Sequence, residues 1–91
     1  MGFLPLAYAL AKPADAELGG QLVRAALAIT TRIAEASGRD ERDRLLAARG
    51  SALECAAALD ALRALGSTDA KIAEGHAALF RIVSLLTTKL S

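Results

Sequence analysis

DAELGGQLVRAALAITTRIAEASG, residues 15–38, carries apolar side chains at steps of three and four residues, which places them on one face of a helix. Val23, Leu27 and Ala34 occupy the other side, so the predicted helix is apolar nearly all round. A helix of this kind is central in a fold or is covered on two sides. The main face consists of Leu18, Leu22, Ala25, Ala26, Ile29, Ile33 and Ala36.

Prolines and glycines set the ends of the first two predicted helices. A short first helix is expected over residues 3–12, with Pro5 tolerated in its first turn, before Pro13 breaks the chain. The second helix is predicted from about Asp15 to Ser37, where the following Gly38 acts as a C-terminal cap.

The second half of the chain predicts two more helices. Asp40 is expected to cap the third helix, which ends before Gly66. The fourth is expected to begin at Ser67, Thr68 or Asp69 and to continue to Leu90. Because the connections are so short, consecutive helices must lie antiparallel as neighbours. The expected core is Leu22, Ile29, Ile33, Leu53, Leu59, Leu79, Phe80 and Val83.

These patterns predict one all-α domain over residues 1–91, an antiparallel up-and-down four-helix bundle with a short first helix. The apolar fraction of 54% exceeds the ~45–50% usual for globular proteins. The longest uncharged run, Met1 to Ala11, is shorter than the ~20 residues that span a membrane, so we expect the apolar surplus at interfaces between subunits. A lone Cys55 excludes an internal disulfide and favours the cytoplasm.

Residues 21–39, QLVRAALAITTRIAEASGR, and 48–53, ARGSAL, resemble the four helix bundle protein family. That family includes proteins encoded in intervening sequences of large-subunit ribosomal RNA genes and, more distantly, the accessory variability proteins of diversity-generating retroelements. The resemblance implies an antiparallel four-helix bundle that forms a homopentameric ring without enzymatic activity. Its matching positions are Gln21, Arg24 to Ala26, Ile29, Ile33 to Glu35, Gly38, Arg39, Ala48 to Ser51, Leu65 and Gly66.

The chain departs from the family pattern inside the second helix and in the length of the first helix. Thr30 stands where the family usually has proline, Arg32 where it has asparagine, and Ala36 where it has glycine. The predicted first helix is also much shorter than that of the family. A shorter first helix is expected to leave part of the groove between the other helices uncovered.

Few residues offer catalytic or metal-binding chemistry. His76 is the only histidine, and the Glu-x-x-His spacing of di-iron bundles is absent, so we interpret it as a packed or interface residue. Cys55 has no identifiable base beside it and is expected to be buried. The sequence therefore predicts no enzyme, cofactor, metal ion or small-molecule substrate.

Charged residues in the second helix and beyond suggest two further roles. Glu35, in an apolar helix, needs a partner, and we expect a buried or half-buried ion pair with Arg49 or Arg24. Arg39, Arg42 and Arg44 are the candidate nucleic-acid-binding residues, since arginine engages phosphate in a bidentate way. The same arginines could equally form a solvated turn with intrahelical ion pairs.

Two functions follow as hypotheses. The first is a homo-oligomeric, pentameric scaffold that binds RNA, DNA or a nucleic-acid enzyme such as a reverse transcriptase. The alternative is a homo-oligomeric protein-interaction module with no nucleic-acid role. The net charge of +1 does not by itself demand a nucleic-acid partner.

Overall fold

Four α-helices and one 3-10 turn build the computed structural model, which describes residues 2–36 and 38–91, with Arg39 described only in its backbone. The predicted all-helical fold is confirmed, with no strand anywhere in these two ranges. The predicted end of the second helix at Ser37 lies outside the described residues. The helices are α1 (Phe3–Ala11), α2 (Ala16–Glu35), α3 (Glu41–Ala64) and α4 (Lys71–Leu90), and the 3-10 turn is Gly38–Asp40.

Two helix ends are fixed by the residues that the sequence indicated. The Asp15 carboxylate accepts hydrogen bonds from the backbone N–H of Glu17 at 2.9 Å and of Leu18 at 3.2 Å, which satisfies amides that lack a partner in the first turn of α2. The second of these ends is the C-terminus of α3. There Gly66 has a φ of +101°, and the backbone N–H of Ser67 donates to the Leu62 carbonyl oxygen at 3.0 Å. This left-handed glycine ends α3 as predicted.

The beginnings of α3 and α4 differ from expectation. Asp40 immediately precedes α3, but it belongs to the 3-10 turn, and its carboxylate makes no capping hydrogen bond within the described residues. Its ψ of 2° is not the extended conformation in which a side chain folds back onto the first turn. α4 begins at Lys71, later than the predicted Ser67, Thr68 or Asp69, and its N-cap residue Ala70 makes no side-chain capping bond. The Asp69 carboxylate, one residue earlier, accepts from the Lys71 N–H at 2.9 Å.

The helices enclose a main core and a smaller second cluster, with each helix packed on the next and α1 packed also on α4. Near the α3–α4 connection, Leu59 of α3 lies at Gly75 of α4, and at the opposite end Leu45 packs with Leu86. The predicted core residues Leu22, Ile29, Leu59 and Leu79 are buried, and Val83 packs against them. The main core consists of Phe3, Ala7, Leu10, Leu22, Ala26, Ile29, Ala52, Cys55, Ala58, Leu59, Leu62, Ile72 and Leu79.

The short first helix decides which part of the bundle is complete. With nine residues α1 is about 13 Å long, whereas the twenty residues of α2 extend over about 30 Å. Thus α1 covers only the half of the bundle that holds the main core. A second, smaller cluster of Leu45, Ala48 and Leu86 lies at the other end, where α2, α3 and α4 pack without a fourth helix among the described residues.

The length and apolar character of each helix determine whether it could span a membrane. Among residues 2–36 and 38–91, none of the helices combines the length and the apolar character needed to cross a bilayer.

Candidate functional site

Two large exposed apolar side chains, one from α3 and one from α4, lie together on one side of the bundle. Leu53 is 57% exposed and Phe80 is 73% exposed, although both were predicted to be core residues. Ala56, Ala77 and Val83 complete the groove between them. We call these five residues the α3–α4 face.

Helix geometry explains why the core prediction was wrong for these two residues. Adjacent residues of a helix are about 100° apart, so Leu53 and Phe80 point away from the buried Ala52 and Leu79 that precede them. Sequence periodicity places apolar residues on a side of each helix, but it does not show which part of that side the other helices cover. Burying a leucine or phenylalanine stabilises a protein by roughly 1.5–3 kcal/mol, a gain that these side chains do not realise in the single chain.

A second apolar surface lies at the end of the bundle that α1 does not reach. Ile33, also predicted as core, is 43% exposed there, and it borders a groove of about 300 Å³ whose other walls include Ala36, Leu45, Leu85 and Leu86. We call this groove the open end. It is the uncovered region that the short first helix led us to expect.

The arginine cluster lies beside the open end and is engaged within the chain. Arg42 Nη1 donates to the Leu90 carbonyl oxygen at 2.7 Å, which satisfies a carbonyl left free at the end of α4. Arg49 Nη1 donates to Thr87 Oγ1 at 3.3 Å. Both bonds join α3 to the last turn of α4. The Arg39 side chain, the third predicted nucleic-acid contact besides Arg42 and Arg44, lies outside the described residues.

Glu35 has a partner, but not one of the two that were predicted. Its Oε1 lies 3.0 Å from Arg44 Nη1 in a hydrogen-bonded ion pair, with Glu35 49% and Arg44 41% exposed. Glu35 is the last residue of α2 and Arg44 lies in the first turn of α3, and the packing of α2 on α3 brings the two side chains together. Arg49 lies farther along α3 and turns to α4, and Arg24 lies three helical turns back on α2 itself. The prediction of a buried or half-buried pair with Arg49 or Arg24 was therefore wrong in the partner: Glu35 forms a half-exposed pair with Arg44.

Replacing Glu35 with Gln is expected to change the free energy of unfolding by less than ~1 kcal/mol, because exposed ion pairs contribute little and are screened by salt. Urea unfolding of Glu35→Gln, Arg44→Ala and the double variant gives the coupling energy of the pair. A coupling above ~3 kcal/mol, the range of a buried pair, would contradict the exposed geometry.

Two other arginines project from α2. Arg24 and Arg32 line the groove between α2 and α3, together with Glu54 and Ser51 of α3. Neither arginine forms an ion pair with a carboxylate in the described part of the chain. The Arg32 Nε atom is also buried without a hydrogen-bond acceptor among the described atoms. Arg24 is exposed, so its guanidinium group is accessible to an acceptor outside the chain.

The two side chains with possible catalytic chemistry are not poised for it. His76 Nε2 lies 2.9 Å from Asp60 Oδ1, but the geometry does not make a hydrogen bond, and the buried Nε2 has no hydrogen-bond partner among the described atoms. Cys55 is buried, as expected, and burial, with a smaller effect of the Glu54 charge, raises the pKa of its thiol from 9.0 to about 12. At neutral pH this thiol is protonated and therefore a poor nucleophile.

No group of three or more histidine, cysteine, aspartate or glutamate side chains is arranged to hold a metal ion within the described residues. The features that distinguish this surface are thus apolar faces and arginines. Compared with protein-family models, with curated proteins and with solved structures, the chain matches none.

Proposed function

We propose that this protein is a non-enzymatic scaffold that assembles with copies of itself into a closed ring and contacts nucleic acid, or an enzyme acting on it, through the arginines beside the open end. In this proposal the helices run up and down in antiparallel order. The resemblance to the four helix bundle family supplies the number of five subunits and the reverse transcriptase as one candidate enzyme. A single buried cysteine agrees with a cytoplasmic location.

The exposed apolar surface supports self-assembly best. Leu53 and Phe80 stand in one groove, and Ile33 and Leu85 stand at the open end, all of them more than two-fifths exposed. Soluble monomers rarely expose contiguous apolar patches of large size. Burial between subunits removes about 25 cal/mol of cost for each Å² of apolar area taken out of water.

The arginines beside the open end support the nucleic-acid contact. Arg42 and Arg44 are bonded inside the chain, but both bonds lie at the surface, where phosphate can compete for them. Arginine presents a planar fork that fits phosphate oxygens. A ring repeats the same arginines around its axis, so weak contacts of single subunits add up.

One observation favours the alternative of a protein-interaction module with no nucleic-acid role. The guanidinium groups of Arg42 and Arg44 already satisfy a carbonyl and a carboxylate of their own chain. Phosphate binding must break these contacts first, and this cost lowers the affinity.

Binding of a labelled single-stranded RNA, measured over a series of salt concentrations, distinguishes the two proposed functions. We expect affinity to fall steeply as salt rises, because each phosphate neutralised by arginine releases counterions. The triple variant Arg39→Ala, Arg42→Ala, Arg44→Ala is expected to weaken binding at low salt by at least tenfold and to flatten the salt dependence.

A matched control removes three cations from the other end of the bundle, with Lys12, Arg63 and Lys71 each replaced by Ala. This variant has the same net charge as the triple arginine variant, and it should retain most of the affinity. Equal loss in both variants would show that only net charge matters. No binding of RNA or DNA at low salt would favour the protein-interaction module.

A further inference from the structure

We propose that the outward side of α2 in one copy docks head to tail into the α3–α4 face of a second copy. This inference rests on the proposed self-assembly and names the two surfaces that meet. The α2 surface includes Arg24, Leu27, Thr31 and Glu35, which follow one another at steps of three and four residues, and Ala28 and Arg32 line it beside them. We call it the α2 ridge.

Leu27 is the apolar centre of the ridge and fits the chemistry of the groove. It is 51% exposed, and the shallow surface around it is lined by α2 residues alone. The α3–α4 face offers the complementary shape, because the large Leu53 and Phe80 flank the small Ala56 and Ala77. A leucine standing on a helix is a knob of the size that such a groove between two helices accepts.

The ridge and the face do not overlap on the molecule. The ridge belongs to α2, whereas every residue of the face belongs to α3 or α4. One copy can therefore use both surfaces at once, each toward a different neighbour. Contacts between two different surfaces produce rings when the rotation closes, whereas one surface that meets itself stops at a dimer.

Charges at the borders of the two surfaces are complementary and set the direction of docking. The ridge has Arg24 toward its beginning and Glu35 at its end, whereas the face has Asp60 near the start of α4 and Arg81 farther along α4. Arg24 has no carboxylate partner among the described residues, and Asp60 is 69% exposed with only His76 beside it. Docking in this direction brings Arg24 toward Asp60, while Glu35 keeps its ion pair with Arg44 of its own chain.

Mixing two variants tests the docking by light scattering after size exclusion. Phe80→Asp places a charge in the α3–α4 face and leaves the α2 ridge intact. Leu27→Asp places a charge in the α2 ridge and leaves the α3–α4 face intact. Each variant alone is expected to remain at the 9.4 kDa mass of one chain. In an equal mixture, the intact ridge of the Phe80→Asp variant can dock into the intact face of the Leu27→Asp variant. The mixture is therefore expected to form a dimer of twice that mass.

Leu65→Asp is the matched control, because Leu65 is 75% exposed but belongs to neither surface, and this variant is expected to assemble like the wild type. Circular dichroism verifies that the aspartate variants are folded. A cysteine pair tests the same contact without a buried charge: Leu27→Cys mixed with Phe80→Cys should form a disulfide-linked dimer on oxidation. Leu27→Cys mixed with Leu65→Cys should not, and the buried Cys55 thiol does not compete.

The outcomes separate this inference from the proposal beneath it. A wild type that is monomeric overturns self-assembly itself. A wild type that assembles while Phe80→Asp and Leu27→Asp assemble equally well overturns the docking and leaves self-assembly standing. The docking is also overturned by two negative results together. In the first, the monomeric Phe80→Asp and Leu27→Asp variants form no dimer when they are mixed. In the second, the Leu27→Cys and Phe80→Cys variants form no disulfide with each other.

Discussion

Replacing Leu59 with Ala is expected to lower the free energy of unfolding by ~2–5 kcal/mol, which is the usual cost of removing a large aliphatic side chain from a core. Leu59 is fully buried in the main core, and its Cδ1 lies where a side chain on Gly75 would be. The neighbours cannot collapse easily into the space left behind, because α1, α3 and α4 meet around Gly75. A domain of this size has a net stability of only ~5–15 kcal/mol, so the loss is a large part of the total.

Urea unfolding followed by circular dichroism measures this loss, at one fixed protein concentration because assembly would couple to folding. Leu65→Ala is the control, since Leu65 is an exposed leucine at the end of the same helix. Its effect should stay within about 0.5 kcal/mol. Equal effects at Leu59 and Leu65 would contradict the placement of the core.

The same substitution at two helical glycines is expected to have opposite signs. A Cβ at Gly19 would lie 2.7 Å from the Ala11 carbonyl oxygen, a backbone atom that can move away only if α1 shifts on α2. Gly19→Ala should therefore destabilise the protein by ~1–3 kcal/mol, the usual cost of overpacking. No described heavy atom lies within 4 Å of a Cβ at Gly50, so Gly50→Ala should gain up to ~1 kcal/mol in helix propensity.

Both variants gain helix propensity, so this gain cancels when their changes in the free energy of unfolding are compared. Urea unfolding gives the difference in stability, and hydrogen exchange shows whether the α1 amides lose protection in Gly19→Ala, as a displaced α1 requires. A stabilising effect at both glycines would show that α1 does not pack on α2 at Gly19.

The sequence predicted the helices well because their ends depend on local chemistry. Asp15 caps α2, and Gly66 adopts the left-handed conformation that ends α3, and both could be read from residue type alone. The glycines inside α3 and α4, Gly50 and Gly75, look alike in the sequence but have different surroundings in the structure. Gly75 receives Leu59, Leu6 and Phe3, whereas Gly50 has no described neighbour at the Cβ position within the chain.

The site was harder to predict because exposure and ion pairing depend on how the helices are arranged. Leu59 and Leu53 look alike in the sequence of α3, yet one is fully buried and the other is more than half exposed. Glu35 binds Arg44 because of the path of the connection between α2 and α3, which periodicity does not describe. The available signal was the all-round apolar character of α2, which correctly indicated an apolar side that the core does not use.

Self-assembly is the central claim, and the mass of the wild-type protein in solution tests it most directly. Light scattering coupled to size exclusion at micromolar concentration measures this mass without reference to shape. We expect a single closed species of five times the 9.4 kDa chain mass, with the same mass after tenfold dilution. Another closed number would revise only the count, and a stable monomer of 9.4 kDa would contradict the account.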